Sequence, residues 1–305
     1  MAATVYGKKS IGENTFDVLI YIILGLLFLM CMYPFYYIFI YSLSDAHTAS
    51  RNNLAVMLYP VGLTLNNYKE VFAMEGMASA ALVSLLRTAI GTVGTVVCSG
   101  FFAYLVTKPM YFRKTIYRMT IATMYFSSGL VPWYLTMRKY GLYNNFFVYV
   151  VPSLISAYFI ILIKTFIEQL PASLEESAML DGAGYITIFA RIVFPLSKPI
   201  LATIAVFAAV GQWNSWFDNY ILVQNDELTT LQLKLYDLMR TAMSIAEKAN
   251  MGTSAGGALS HLEEAVTPMS IRMTVTMVVT LPILLVYPFM QRYFVKGIMM
   301  GAIKG

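Results

Sequence analysis

Six stretches of this chain are so poor in charge and so rich in apolar side chains that each reads as a membrane-crossing helix: residues 16–41, 79–107, 115–137, 145–168, 198–223 and 270–294. Each approaches or exceeds the roughly 20 residues that a helix needs to cross the hydrocarbon core. The intervals between them are polar. Two are long, 42–78 and 224–269, and a shorter one, 169–197, separates the fourth and fifth stretches. The third stretch is the least regular, because Ser127, Ser128, Gly129 and Pro132 interrupt its middle. Lipid cannot satisfy the backbone groups freed by such a break, so they must face protein or a watery cavity. That segment therefore either lines a pathway or kinks against a neighbouring helix. In the 224–269 interval, Leu231, Leu235, Leu238, Met239 and Ala242 recur at helical spacing, and Thr229 with Gln232 is spaced as a capping box. A surface helix is predicted there, followed by a Gly-, Ser- and Ala-rich tether over Asn250–Leu259.

Composition turns this pattern into a class. Of the 305 residues, 58% are hydrophobic and only 12% are charged, and the mean hydropathy is +0.65. A typical soluble domain carries about 25% charged residues, so an ordinary water-facing surface is excluded. The prediction is an all-α polytopic membrane protein forming one domain over 1–305. The net charge of +5 does not point to nucleic acid, because no block of five or six basic residues occurs and the charges sit between apolar runs. With a cytoplasmic N-terminus, twelve of the twenty-one Lys and Arg residues fall inside; five of the other nine lie in the two long outer intervals, where the rule counts least. Both termini are therefore expected to be cytoplasmic. Lys8 and Lys9 precede an apolar run from about Val18 to Leu43, well beyond the roughly 7–15 residues of a signal-peptide core, so the run is expected to stay in the mature protein. Cys31 and Cys98 lie inside apolar runs without metal or redox spacing and read as packing residues. His47 and His261 lack partners at metal-ligand spacing, Glu263-Glu264 reads as a helix start, and no Gly-rich phosphate loop is present. No metal, cofactor or catalytic residue is expected.

The 169–197 interval carries the sharpest local chemistry. Ser173 and Glu176 have capping-box spacing. Asp181-Gly182-Ala183-Gly184 then interrupts the helical pattern, with Gly182 free to take positive φ. A second helix starts near Gly184 and is expected to end at Pro195. Its Tyr185, Ile186, Ile188, Phe189 and Ile192 are more apolar than a solvated loop needs, so this face must be buried against a partner or its own bundle.

These residues resemble the signature of the permease subunits of ATP-binding-cassette importers: Glu-Ala-Ala, three residues, Gly, nine residues, Ile-x-Leu-Pro. Here it stands as Glu176-Ser177-Ala178, Gly182 and Ile192-Val193-Phe194-Pro195, with every spacing kept. Ser replaces one Ala and Phe replaces the Leu, changes that keep the small and apolar character. Leu63–Phe72 resembles the first outer segment of carbohydrate-type importers, and Gly211–Asp218 resembles the fifth span of a branch taking up complex oligosaccharides; the smaller six-span permease of maltose-type systems is similar overall. The resemblance implies a bacterial plasma-membrane assembly containing a second permease subunit, two ATPase subunits and an extracellular sugar-binding protein. It also implies that Glu176, Ser177, Ala178, Gly182, Ile192 and Pro195 belong to a segment docked in a groove of the ATPase, where ATP is hydrolysed. For Glu176, contact with the ATPase and capping of its own helix both stay open.

The fifth stretch places Gln212, Trp213, Asn214, Trp216 and Asp218 where polar groups are expensive. Amides, indoles and a carboxylate together suit sugars, whose ring faces lie on indoles and whose hydroxyls bond to polar groups. These residues and Trp133 are candidates for a substrate pathway. Helical geometry keeps them from all facing one way. Trp at an outer interface is also a membrane-belt residue, and in some members of the family only the partner permease contacts sugar. The expected function is import of oligosaccharides; the alternatives are a permease of the same class for another solute such as a peptide, and an ion-coupled secondary transporter.

Overall fold

The computed structural model describes residues 11–51, 58–250 and 267–302. It is 77% helical without strands among those residues. They fall into two compact units: up to Val71 with Ile245–Val278 in one, and Phe72–Ser244 with Val279 onward in the other. Most of the expected tether, from residue 251, lies outside the described residues.

In the first unit, α1 (Ile11–Ser42) is an apolar helix whose 16–30 region is exposed on nearly all sides, as a lipid-facing helix requires. The polar residues just past it close its end. Asn67 is buried and donates through Nδ2 to Ser42 O (3.0 Å) and Ser44 O (2.8 Å), satisfying carbonyls at and just past the end of the helix, where no intrahelical partner remains. Asp45 then caps α2 (Ala46–Arg51), its Oδ1 accepting from Thr48 N–H at 2.9 Å and Thr48 Oγ1 at 2.6 Å. α3 (Asn66–Ala73) follows.

The second unit is built on α4 (Met77–Leu105), which packs chiefly against α8 (Ala157–Ile167) and α11 (Lys198–Asn214). Ser84, Arg87, Gly91, Thr95 and Ser99 recur at intervals of three and four, so they form one stripe along α4. A Cβ on Gly91 would stand 2.6 Å from Gln212 Nε2, so the missing side chain makes room for Gln212 against α4.

Three expected spans are interrupted. The 115–137 stretch is two ten-residue helices, α5 (Arg113–Ala122) and α6 (Leu130–Lys139). The break falls where Ser127, Ser128 and Gly129 predicted it, with Gly129 at φ 78°, while Pro132 sits in the first turn of α6, where its missing N–H costs nothing. The 145–168 stretch is α7 (Phe147–Val150) with a 3₁₀ turn to Ser153, bent by 47° from α8. The 198–223 stretch breaks at Ser215 and Trp216, between α11 and α12 (Phe217–Leu222). The stripe on α4 receives groups that the second and third of these breaks free. Thr95 Oγ1 donates to Ser153 O (2.9 Å); Ser99 Oγ donates to Leu154 O (3.1 Å) and accepts from Ser156 N–H (3.2 Å). Arg87 donates to Ser215 O at 3.1 Å. Each such group left unpaired in a buried site would cost about 1–3 kcal/mol.

The interval 169–197 folds as α9 (Ala172–Leu180) and α10 (Tyr185–Leu196), with an 83° bend into α11. Residues 189–193 of α10 widen into a π turn closed by Phe194 N–H to Phe189 O, ahead of Pro195, which has no N–H to give. The helix ends at Leu196, one residue past the expected Pro195. The surface helix forms as α13 (Leu231–Asn250), but Thr230 rather than Thr229 caps it, accepting from Leu233 N–H at 3.4 Å, because Thr229 already ends the preceding 3₁₀ turn. α14 (Pro268–Ala302) contains Pro282 and Pro288. Among the described residues, three helices are long and apolar enough to cross a membrane, and five passages result if each bent pair counts as one.

Candidate functional site

Two sites emerge in the second unit, one towards each end of α4. At its C-terminal end, α9 and α10 form a knob joined by a turn that glycine makes possible. Gly182 has φ +81°, and the chain closes a Schellman motif: Ala183 N–H bonds Ala178 O (2.9 Å) and Gly182 N–H bonds Met179 O (3.0 Å). A Cβ there would meet nothing within 4 Å, so conformation rather than space demands glycine. The Ser173–Glu176 capping box does not form. Pro171 occupies the N-cap, which puts Ser173 inside the first turn, and no side chain caps this helix. Glu176 and Ser177 stand exposed, and Glu176 makes no side-chain hydrogen bond among the described residues. Ala178 and Ile192 are partly buried and pack against the core cluster to which Tyr104, Ile188 and Phe189 belong. Pro195 is half-buried beneath the π turn.

The knob is fastened to the membrane body in two ways. Phe189 is buried against Phe101 (5.2 Å between ring centres), Tyr104 (5.5 Å) and Phe194 (5.5 Å). Glu175 on α9 pairs with Lys108, just past the end of α4, whose ammonium also lies 4.4 Å over the Tyr104 ring. The opposite face is apolar and open: Leu180 is 89% and Ile186 72% exposed.

The other site is a cavity of about 430 Å³ lined by α4, α6, α7, α8, α11 and α12 and by the breaks after α7 and α11. Arg87, 3% exposed, is its anchor. Its Nε donates to Gln212 Oε1 (3.0 Å), and its two terminal nitrogens form a fork on Asp218, 3.1 Å to Oδ1 and 2.5 Å to Oδ2. With the bond to Ser215 O, four of its five N–H groups are used. The guanidinium also lies 4.6 Å over the Tyr149 ring, whose hydroxyl donates to Leu228 O (2.7 Å). Gln212 passes the network on, donating through Nε2 to Ser153 Oγ at 2.5 Å. Asp218 Oδ1 further accepts from Ser215 Oγ (3.0 Å) and Asn219 N–H (2.9 Å).

The six candidate pathway residues divide. Gln212, Asp218 and Trp133 line this one cavity. Trp213 points elsewhere, into an apolar crevice against Leu85, Pro282, Ile283 and Val286, and donates through Nε1 to Val279 O at 2.8 Å. Asn214 accepts from Gln232 Nε2 at 3.0 Å. Trp216 stacks on Tyr236 with ring centres 4.3 Å apart, which ties α13 to the break after α11. Sequence reasoning missed Arg87, Tyr149, Ser153 and Ser156 as cavity residues. Arg87 was legible: an arginine ten residues into a long apolar helix is expensive and marks a functional or paired site. Among the described residues no group of three His, Cys, Asp or Glu side chains could hold a metal; His261, Glu263 and Glu264 lie outside them.

No family model matches the chain. It is 32% identical to the polygalacturonan/rhamnogalacturonan transport system permease protein YtcP of Bacillus subtilis (strain 168), over 96% of this chain and 99% of that protein. It is 35% identical to Protein LplC of the same organism, over 99% of this chain and 98% of that protein. Among solved structures it is similar to a bacterial ABC transporter involved in the import of the acidic polysaccharide alginate, with a TM-score of 0.83, 26% identity, and coverage of 94% of this chain and 99% of that one.

Proposed function

We propose a mechanism from the premise that the chain belongs to the sugar-transporting permeases of ATP-binding-cassette importers: it forms part of the membrane path for oligosaccharides and is moved by ATPase chains that grip its inner knob. The family membership sets aside the ion-coupled alternative. In this reading the chain sits in a bacterial plasma membrane with both termini cytoplasmic, beside a second permease subunit, two ATPase subunits and an extracellular sugar-binding protein. It hydrolyses nothing itself. Residues 172–191 enter the ATPase, with Glu176 and Ser177 on the free surface, Ala178, Ile192 and Pro195 holding the knob to the bundle, and Gly182 setting its shape. ATP-driven closure then tilts the knob, and the packed Phe189 cluster carries the tilt into α4 as rigid-body motion.

The observation that carries the transport reading is the cavity beside Arg87, which this orientation turns outward: a space at two broken spans, with polar groups set among apolar side chains. Irregular backbone at membrane depth is tolerated where it lines a cavity, and Gln212, Asp218 and Trp133 supply polar groups and a flat ring to it. The test is Gly211→Phe. Gly211 lines the cavity, and a Cβ there meets nothing within 4 Å, so the ring projects into the space without displacing the fold. In proteoliposomes holding the complete transporter, sugar uptake should fall at least tenfold while assembly is retained. Uptake at the wild-type rate would remove this cavity from the path.

A further inference from the structure

We propose that the outer cavity takes an uncharged glycosyl unit, and that Asp218 sets this preference by keeping Arg87 occupied; the inference rests on the reading of this cavity as part of the sugar path. Among the described residues that line it, Arg87 and Asp218 are the only charged side chains, and they face each other as a fork on a carboxylate. A sugar acid needs a cation to replace the water it leaves behind. The only cation here has four of its five N–H groups committed, to Asp218, Gln212 and Ser215 O. The pair is neutral as a unit, and it holds no charge for a second carboxylate.

The remaining polar wall is also largely spent. Gln212 uses its carbonyl on Arg87 and one amide hydrogen on Ser153, whose hydroxyl donates onward to Val150 O at 2.8 Å. Thr95 is committed to Ser153 O. What stays open to a ligand is the Ser156 hydroxyl, which has no hydrogen bond among the described residues, the second amide hydrogen of Gln212 and a lone pair on Asp218 Oδ2. Trp133, Phe159 and Phe207 add apolar faces. Scattered single donors and acceptors between aromatic faces match sugar hydroxyls and ring faces. Few free groups also mean a loose hold, and a path must release what it admits.

The test measures equilibrium binding of galactobiose and digalacturonate, two sugars that differ in their carboxylates, to the assembled transporter in nanodiscs without its binding protein. The wild type should bind digalacturonate no more tightly than galactobiose. Asp218→Asn frees the guanidinium and keeps an amide oxygen in place; digalacturonate should then bind at least tenfold more tightly, with galactobiose changed by less than threefold. Arg87→Met/Asp218→Met removes both charges and should bring no gain for digalacturonate. A tenfold preference for digalacturonate in the wild type overturns the proposal whether or not Asp218→Asn assembles. So does an assembled Asp218→Asn complex without the gain, or a double variant that shows it. Gly211→Phe separates the two levels: loss of both sugars keeps the cavity on the path whatever the charge result, and unchanged binding of both removes the path reading and this inference together.

Discussion

The second unit has two charged pairs attached to the same helix, and they are built on different principles. Towards the N-terminal end of α4, Arg87 and Asp218 are 3% and 17% exposed, and the fork is backed by Gln212, Ser215 O and the Tyr149 ring. Just past its C-terminal end, Lys108 and Glu175 are 14% and 17% exposed and meet through a single ammonium, steadied by the Tyr104 ring. Guanidinium geometry fixes direction as well as distance, whereas an ammonium on a four-carbon stem is a point charge that swivels. The Arg87–Asp218 pair therefore locks the break between α11 and α12 onto α4. The Lys108–Glu175 pair ties α9 to the same helix through a single point of contact. One end of α4 is a clamp and the other a joint, which is the division needed if the inner knob moves and the outer wall keeps its shape.

The largest expected effect comes from breaking the clamp on one side. Arg87→Met leaves the part-buried Asp218, held by Ser215 Oγ and Asn219 N–H, without its cation, and unpairing a buried ion pair costs up to about 3–5 kcal/mol. The assembled transporter should lose most of its yield and unfold at markedly lower temperature. Arg87→Met/Asp218→Met removes both charges and should recover at least half of that loss, since a buried pair is often replaceable by apolar side chains. Equal losses in the single and double variants would mean that the Tyr149 and Ser215 contacts, rather than the ion pair, hold this end.

A smaller effect, confined to transport, is expected at the joint. Lys108→Glu sets two carboxylates against each other, and Glu175→Lys sets two ammonium groups, each removing a charged hydrogen bond worth about 1.5–3 kcal/mol. In either single variant, sugar transported per ATP hydrolysed should fall by roughly tenfold with the complex still assembled, because the knob is gripped but no longer tied to α4. Lys108→Glu/Glu175→Lys should restore at least half of the ratio. If uptake and hydrolysis fall in step, and the swap rescues neither, the pair stabilises the fold without transmitting motion.

What was readable beforehand follows the range of the interactions involved. The knob at 172–196 was legible because its determinants are local: Gly182 supplies a left-handed turn, and apolar residues recur at helical spacing beyond it. The break at Ser127–Gly129 was legible for the same reason. Local signals also misled at close range. Pro171 starts α9 ahead of Ser173, so the capping box that the spacing suggested has no helix end to close. The breaks after Ser153 and at Ser215 were not legible, because what makes them tolerable lies far away in sequence: Thr95 and Ser99 bond groups 55 to 58 residues on, and Arg87 one 128 residues on. Arg87 lies inside the 79–107 stretch, and its neighbours Ser84, Thr95 and Ser99 share its face of the helix. Read as a polar stripe on an apolar helix, those four residues announce that something non-helical docks there.

Side-chain geometry separates the clamp from the joint, and Asp45 extends the comparison to a carboxylate that bonds Thr48, three residues on. Its hydrogen bonds to the Thr48 hydroxyl and then to the Thr48 backbone N–H hold it below its ordinary value near 3.8. A carboxyl with a lowered value in the folded state stabilises the fold fully above its unfolded value, and that contribution is lost as pH falls through the folded one. Hydrogen-exchange protection of the Thr48 amide should therefore stay level from pH 7 to about 5 and decline below 3.8. Asp45→Ala should cost about 1 kcal/mol at neutral pH, as loss of an N-cap does, and Asp45→Asn should keep most of the protection while removing its dependence on pH. Neither variant should change the transport ratio set at Lys108 and Glu175. If one does, the division between end-closing contacts and motion-carrying contacts is wrong for this chain.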